Sequence, residues 1–454
     1  MSAAGPIRGW RPRVCLYAGV LLVAWSALAA TGARAQPKPE QDPFYAYQGA
    51  TPLAAIPPGT VLKTRVIAYH VLGIPLPVRT VQLLYRSTGE IGQPTVNVTS
   101  VLEPLSGPTP PKVIAYQSFY DSLNPDDEPS YAIAGGVTFG GLLDTAETVL
   151  IAPMLLEGYT VVVADTEGEN ADFAAGPEYG YNTLDSLRAA LRSGATGLRH
   201  VRQIGLMGYS GGAIATQWAA ELAPSYAPDV NRLLVGAAMG GVLVDPAHNL
   251  HYVSGSYGWA GVMPMAIIGL ARAYDVNLMP YMSTYGAQLY NQLDDATIAD
   301  VLGAYPGLTW QQLIASQYGA PENIPIYDEV VNQLIMGSRG TPTIPLYIAQ
   351  GADGEIEGTS GDQPGIGEGD GVMIAGDVRT LAREYCARGV TVQYDQYDDL
   401  SHTLTALPWI ANAGPWIVAR FAGQPAPQDC GSIAPGNSLA PIPVPASSST
   451  SSGS

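Results

Sequence analysis

The sequence predicts an α/β protein whose central, mostly parallel sheet is flanked by helices. Short runs rich in β-branched and aromatic residues alternate along the chain with segments of helical periodicity, which is typical of parallel sheets. The run Val161-Val162-Val163 is continuously apolar, as expected of a central strand covered on both faces. The predicted strands are residues 61–71, 80–87, 112–117, 159–165, 201–208, 232–239, 344–351 and 390–397.

Helices are predicted between these strands. Leu184, Leu187 and Leu191 recur at helical spacing behind Asn182, which is a candidate N-cap, and a further helix is predicted over residues 377–388.

A long block without strand character follows the strand that ends near Met239. It contains about 100 residues before the next strand, with helical patterns at 263–274 and 309–319. Its late position in the strand order predicts an inserted helical lid over about residues 243–341. The alternative is a set of additional core helices.

The N-terminal segment has the features of an export signal. Three arginines precede residue 15, residues 15–28 are apolar and uncharged, and Ala33-Arg34-Ala35 fits a small-x-small cleavage site. We therefore predict a signal peptide over residues 1–35 and a secreted protein. A membrane anchor is the alternative, but the apolar run is short for a span, and no other stretch approaches ~20 apolar residues. Stable membrane insertion is not expected.

The remaining chain is predicted to be one α/β domain over residues 36–440, followed by a disordered Pro/Ser-rich tail over 441–454. Removing residues 1–35 takes away four arginines and no acidic residue, so the net charge changes from −18 to −22. This charge argues against nucleic acid as a partner. The sequence does not indicate an oligomeric state.

Only Cys386 and Cys430 remain after removal of the predicted signal peptide. In an oxidising compartment two remaining cysteines most simply form one disulfide, and two buried free thiols are the alternative.

The segment LMGYSGGAIA, residues 206–215, places Ser210 between Gly208 and Gly212. An apolar strand precedes the serine and a helical pattern follows it, which is the nucleophile-elbow arrangement of α/β-hydrolases. We therefore predict that Ser210 is the nucleophile and that the N–H group of Gly211 binds the oxyanion.

The general base should lie late in the chain, because this fold orders its triad as serine, acid and histidine. His402, directly after the last predicted strand, is the only histidine that fits. The pair His248 and His251 could bind a metal ion, but no flanking third ligand is present.

Two aspartates compete for the role of triad acid. Asp353 directly follows a predicted strand, whereas Asp370 begins a segment that leads into the helix over 377–388. The loop over residues 351–370 is glycine-rich and acidic, and Asp353, Glu355 and Glu357 resemble the start of a calcium loop without the closing glutamate at the twelfth position. A solvated loop is the alternative.

The chain resembles the fungal and actinobacterial secretory lipases of the lipase A type over most of residues 45–430. The family has a lidded α/β-hydrolase fold. The matching segments are residues 120–131, 161–168, 208–228, 370–389 and 401–406.

The resemblance implies specific roles. It assigns the triad acid to Asp370, the second oxyanion donor to the N–H group of Asp121, and the disulfide to Cys386 and Cys430. The sequence departs from the family pattern at Gly371 and in the long preceding loop, so Asp353 remains an alternative.

The predicted function is therefore that of a secreted carboxylic ester hydrolase, foremost a triacylglycerol lipase, that works through an acyl-enzyme. Its partner is a lipid or another ester, and no metal or organic cofactor is required. The alternatives are an acyltransferase, a short-chain or polyester esterase with the same triad, and an inactive hydrolase-fold binding protein.

Overall fold

A computed structural model describes residues 36–444 of the chain. The predicted signal peptide over 1–35 and residues 445–454 of the predicted tail lie outside the described residues. The strands are β1 Val61–Val71, β2 Ile74–Thr88, β3 Pro94–Leu102, β4 Lys112–Gln117, β5 Thr160–Ala164, β6 Gln203–Tyr209, β7 Leu234–Gly240, β8 Leu346–Gly351 and β9 Val392–Tyr397.

The nine strands form one sheet in the described part of the chain, with the order β1-β2-β3-β5-β4-β6-β7-β8-β9. Strands β4 to β9 are parallel to one another. The first three strands are antiparallel, and β3 is antiparallel to β5. Leu72 and Gly73, both with positive φ, connect β1 to β2, as expected of a tight hairpin turn. The predicted fold class is confirmed, and β3 was not predicted.

Helices connect the parallel strands and cover both faces of the sheet. The α-helices are α1 Pro129–Ile133, α2 Leu142–Leu156, α3 Gly176–Arg192, α4 Gly211–Tyr226, α5 Pro228–Asn231, α6 Pro246–Val253, α7 Val262–Ala273, α8 Thr284–Gln292, α9 Ile298–Val301, α10 Trp310–Leu313, α11 Pro325–Gln333, α12 Ala375–Ala387 and α13 His402–Phe421.

Side chains of the central strands alternate between two apolar layers. On β6, Leu206 packs in one layer with Trp218 of α4. The next residue, Met207, packs in the opposite layer with Trp409 of α13. All four are buried, and burial of each side chain contributes roughly 1.5–3 kcal/mol to folding. The two layers fix the parallel strands, so that the loops after their carboxyl ends meet at one edge of the sheet.

Helices α6 to α11 form an insertion between β7 and β8, called here the helical insertion (residues 241–345). Its apolar side chains, including Trp259 and Met265, form one buried cluster with residues outside the insertion such as Leu123 and Met373. In residues 36–444, no helix is both long and apolar enough to cross a membrane.

The helix predicted over 309–319 is wrong beyond its first turn, because α10 ends at Leu313. The Leu313 carbonyl accepts from the Ser283 N–H (2.9 Å), and the Ala315 N–H donates to the Tyr281 carbonyl (2.8 Å). These contacts with a neighbouring segment replace the hydrogen bonds that a longer helix would make.

Cys386 of α12 and Cys430 form a disulfide with a Cα–Cα distance of 5.5 Å. The bond closes a sequence separation of 44 residues, which corresponds to ~4 kcal/mol of stabilisation in the chain-entropy model. We expect a thiol titration of the unfolded, unreduced chain that begins near Gln36 to detect no free thiol. Detection of two thiols would contradict the bond and the oxidising compartment it implies.

Candidate active site

Ser210 lies at the turn from β6 into α4, at the carboxyl edge of the sheet. Its backbone has φ +53° and ψ −120°, a conformation that costs a non-glycine residue about 1–3 kcal/mol. The Ser210 N–H donates to the Gly240 carbonyl of β7 (2.9 Å) and holds the turn in place. A methyl group on Gly208 would overlap the Gly212 carbonyl oxygen, and one on Gly212 would overlap the Gln117 carbonyl oxygen. The turn therefore needs both glycines.

The structure brings Ser210, His402 and Asp370 together. Nε2 of His402 lies 2.8 Å from Oγ of Ser210, and Nδ1 of His402 lies 2.8 Å from Oδ2 of Asp370. His402 is the first residue of α13, shortly after β9, and its backbone N–H donates to the Asp370 carbonyl (2.7 Å). Asp370 and His402 are 0% and 4% exposed, so the hydrogen bond between them is buried, whereas the bond to Ser210 is partly buried.

Both oxygens of the Asp370 carboxylate have further donors. Oδ1 accepts from the backbone N–H groups of Val372 (3.1 Å) and Met373 (2.8 Å), and Oδ2 also accepts from Nε2 of Gln350 (2.8 Å). These bonds fix the carboxylate plane and direct Oδ2 at the imidazole. Asp353 is half-buried, and within residues 36–444 its side chain makes no hydrogen bond or ion pair with His402.

The charges around His402 favour its protonated form. Burial alone would lower the pKa of the imidazole, but the Asp370 carboxylate raises it through charge and hydrogen bonding, and Glu357 and Asp121 raise it further. The net result is a His402 pKa above the ordinary value. This environment suits a base that must carry a proton during a reaction.

Two backbone N–H groups next to Ser210 have no acceptor within the described part of the chain, those of Gly211 and Asp121. Gly211 is the first residue of α4, where the helix dipole is positive. Asp121 has φ +44°, and its carbonyl accepts from the Ile298 N–H of the helical insertion (2.9 Å). Burial raises the pKa of the Asp121 carboxyl to about 7, although nearby His402 lowers it.

Aromatic side chains enclose the imidazole. The ring of Trp259, from the helical insertion, stands edge-on to His402 with the centroids 5.3 Å apart. Tyr209 lies 5.2 Å away on another side, and its hydroxyl donates to the His402 carbonyl (2.5 Å). Sequence reasoning missed Trp259, Tyr209 and Gln350. The position of Gln350 near the end of an otherwise apolar predicted strand was the one sequence signal for these three residues.

The two histidines considered from the sequence as a metal-binding pair each pair with a carboxylate. His248 pairs with Asp377 (3.0 Å), and His251 pairs with Glu322. Residues 36–444 contain no group of three or more histidine, cysteine, aspartate or glutamate side chains arranged to hold a metal ion.

A strand–serine–helix turn, with a histidine and a carboxylate on loops beyond later strands of a parallel sheet, defines the α/β-hydrolase class. Within that class the chain belongs to the secretory lipase family, whose model matches residues 136–429.

Individual relatives agree with this assignment. Lipase 4 of Candida albicans is 31% identical over 405 residues, which cover 87% of this chain and 84% of that protein. A probable inactive lipase of Mycobacterium tuberculosis is 32% identical and covers 85% of this chain and 83% of its own length. The crystal structure of Candida antarctica lipase A in its closed state superposes with a TM-score of 0.75 at 26% identity, covering 91% of this chain and 93% of that one.

The protein is therefore a lipase-like ester hydrolase, as predicted. Its family is secretory, which agrees with the expected extracellular location. The export signal itself stays a prediction.

Proposed function

We propose that the protein is a triacylglycerol lipase that hydrolyses its substrate through Ser210, His402 and Asp370. The observation that carries this proposal is the continuous pair of 2.8 Å hydrogen bonds from Ser210 through His402 to Asp370. Asp370, rather than Asp353, is the proposed acid because it is the carboxylate bonded to Nδ1.

The proposed reaction has two halves. His402 accepts the proton of Ser210 at Nε2 while Oγ attacks the ester carbonyl, and the protonated imidazole then protonates the departing alcohol. Water, deprotonated by the same nitrogen, attacks the acyl-enzyme, and the imidazolium returns that proton to Oγ of Ser210 as the fatty acid is released. Asp370 keeps the proton of Nδ1 in place and stabilises the imidazolium in both halves.

The N–H groups of Gly211 and Asp121 are the proposed oxyanion donors. Both flank Ser210, and neither has a protein acceptor in residues 36–444. Such donors are set before the reaction, so they stabilise the tetrahedral intermediate without reorganisation.

The helical insertion is the proposed lid. Its Trp259 covers His402, and its Ile298 is bonded to Asp121, so it contacts both the base and the oxyanion site. Movement of this segment would open the site to a bulky ester, as in enzymes gated by lids. The apolar interior of the insertion suits a long acyl chain. The hydrogen-bonded triad favours an active enzyme over a binding protein.

The acyl-chain preference tests this function. On p-nitrophenyl esters with two to eighteen carbons, we expect kcat/KM to rise with chain length beyond four carbons, because longer chains bury more apolar surface. Emulsified trioctanoin and triolein should also release fatty acid in a pH-stat assay. Activity confined to two- and four-carbon esters would contradict the lipase proposal and favour the short-chain esterase. Preferential transfer to added alcohol in water would favour the acyltransferase.

A further inference from the structure

Glu357 lies in the loop between β8 and Asp370 and connects two parts of the active site. One carboxylate oxygen, Oε1, accepts from the backbone N–H of Thr403 (2.9 Å). The other, Oε2, accepts from Nε1 of Trp259 (2.6 Å). Thr403 directly follows His402 at the start of α13, and Trp259 belongs to the helical insertion. A single side chain thus joins the helix that carries the base to the segment that covers it.

The space for this carboxylate depends on the residue after the triad acid. Gly371 has φ +125°, and a Cβ there would lie 2.9 Å from both Oε2 of Glu357 and Nε1 of Trp259. A larger residue at this position would be strained and would press on the Glu357–Trp259 hydrogen bond. Gly371, which departs from the pattern of the family, leaves the room that Glu357 occupies.

The same contacts act on the base. The indole of Trp259 packs edge-on against the imidazole of His402. The hydrogen bond from Nε1 of Trp259 to Glu357 therefore also fixes the side chain that packs against the base. The acidic groups that face His402 are Asp370, Glu357 and Asp121, and Tyr209 contacts the ring as a neutral group. Glu357 is the one of these acids that hydrogen-bonds both α13 and the insertion.

We propose that Glu357 is a positioning residue for His402. Glu357 holds the first turn of α13 and the indole of Trp259 in place, and its charge stabilises the imidazolium. This inference rests on the proposed role of His402 as the base. The proposed role of Glu357 gives the acidic loop a function other than the two considered from the sequence, which were calcium binding and a solvated loop.

The charge predicts a direction for the pH profile. A negative carboxylate favours the charged imidazolium and so raises the pKa of His402. The base works in its neutral form, so the acidic limb of kcat/KM in the free enzyme follows that pKa. Removing the charge in Glu357→Gln should move this limb to lower pH.

The experiment measures kcat and KM on p-nitrophenyl butyrate from pH 4 to 9 for the wild type, Glu357→Gln and Trp259→Phe. For Glu357→Gln we expect the shifted limb and a several-fold lower kcat with a nearly unchanged KM. Trp259→Phe keeps an aromatic ring next to His402 and the charge of Glu357, but it removes the N–H group that donates to Glu357. It should lower kcat without moving the limb.

The matched control is Glu355→Gln. Glu355 is exposed on the same turn, and its carboxylate makes no hydrogen bond within residues 36–444, so the variant removes one negative charge without touching the site. It should leave kcat and the limb unchanged, and equal Tm values would exclude unfolding. An unshifted limb in Glu357→Gln, or an equal shift in Glu355→Gln, would overturn the proposal. Ser210→Ala on the same ester separates the two inferences, because full activity there would reject the triad itself.

Discussion

Ser210→Ala is expected to lose at least ~10³-fold in kcat on a soluble ester while keeping the fold. The variant removes the only proposed nucleophile but leaves the oxyanion donors and the covering insertion in place. Alanine keeps the Cβ and the backbone N–H that donates to the Gly240 carbonyl, so the thermal melt should stay close to that of the wild type. The measurement is kcat on p-nitrophenyl butyrate with the Tm determined in parallel.

Ser225→Ala is the matched control for this prediction. Ser225 lies in the last turn of the same helix α4, and its hydroxyl donates only to the Leu222 carbonyl (3.3 Å). Its substitution should leave kcat unchanged. Mass spectrometry after treatment with a p-nitrophenyl phosphonate should show one adduct on the wild type and none on Ser210→Ala. Full hydrolysis by Ser210→Ala, or an unchanged adduct, would reject the proposed mechanism.

Strands β4 to β8 could be predicted from the sequence because they are mainly apolar on both faces. Strand β3 could not, because its segment PTVNVTSVL is rich in polar residues. Those residues are buried all the same: Asn97 donates to the Asp165 carbonyl (2.6 Å), and Thr99 donates to the Val163 carbonyl (3.0 Å). Their partners lie more than sixty residues away, so no local pattern indicates that they are satisfied.

Asn182 of helix α3 is a second residue whose role depends on distant partners that the local sequence does not indicate. The sequence suggests this residue as an N-cap, but the helix begins at Gly176 with Pro177 in its first turn. The Asn182 side chain instead donates to the Thr166 carbonyl (3.0 Å) and accepts from the Ser87 hydroxyl (2.5 Å). A residue that favours caps is tolerated inside a helix here because the tertiary structure provides its partners.

The residues of the candidate site also differ in how far the sequence could predict them. Ser210 and His402 could be found from the sequence because a glycine-flanked turn and the strand order restrict them strongly. The contacts of Trp259 and Glu357 with the histidine and its helix could not be found, because no local sequence pattern indicates them. The choice between Asp370 and Asp353 depended on the resemblance to a family, because the length of the loop between them does not determine its path.

Asp370→Asn is expected to lower kcat by up to ~10⁴-fold, the loss expected when the imidazole is held in the wrong tautomer. The amide oxygen of the asparagine can still accept from the N–H groups of Val372 and Met373. Its NH₂ group then faces Nδ1 of His402, next to the donating side chain of Gln350. A donor at this position favours the tautomer with the proton on Nε2, which cannot accept the proton of the serine.

Asp353→Asn is the matched variant at the competing position. Asp353 is half-buried, and no hydrogen bond of its side chain occurs in the described part of the chain, so the substitution should leave kcat close to that of the wild type. Both variants are assayed on one soluble ester, with folding checked by thermal melt. A reversed order of effects would place Asp353 in the triad and would mean that the loop over residues 354–369 adopts another path in the working enzyme. A moderate loss in both would indicate that the loop shapes the site through a bound ion. In that case activity should fall on addition of a chelator and return with calcium, whereas an acid that acts only through hydrogen bonds to His402 would not respond to either.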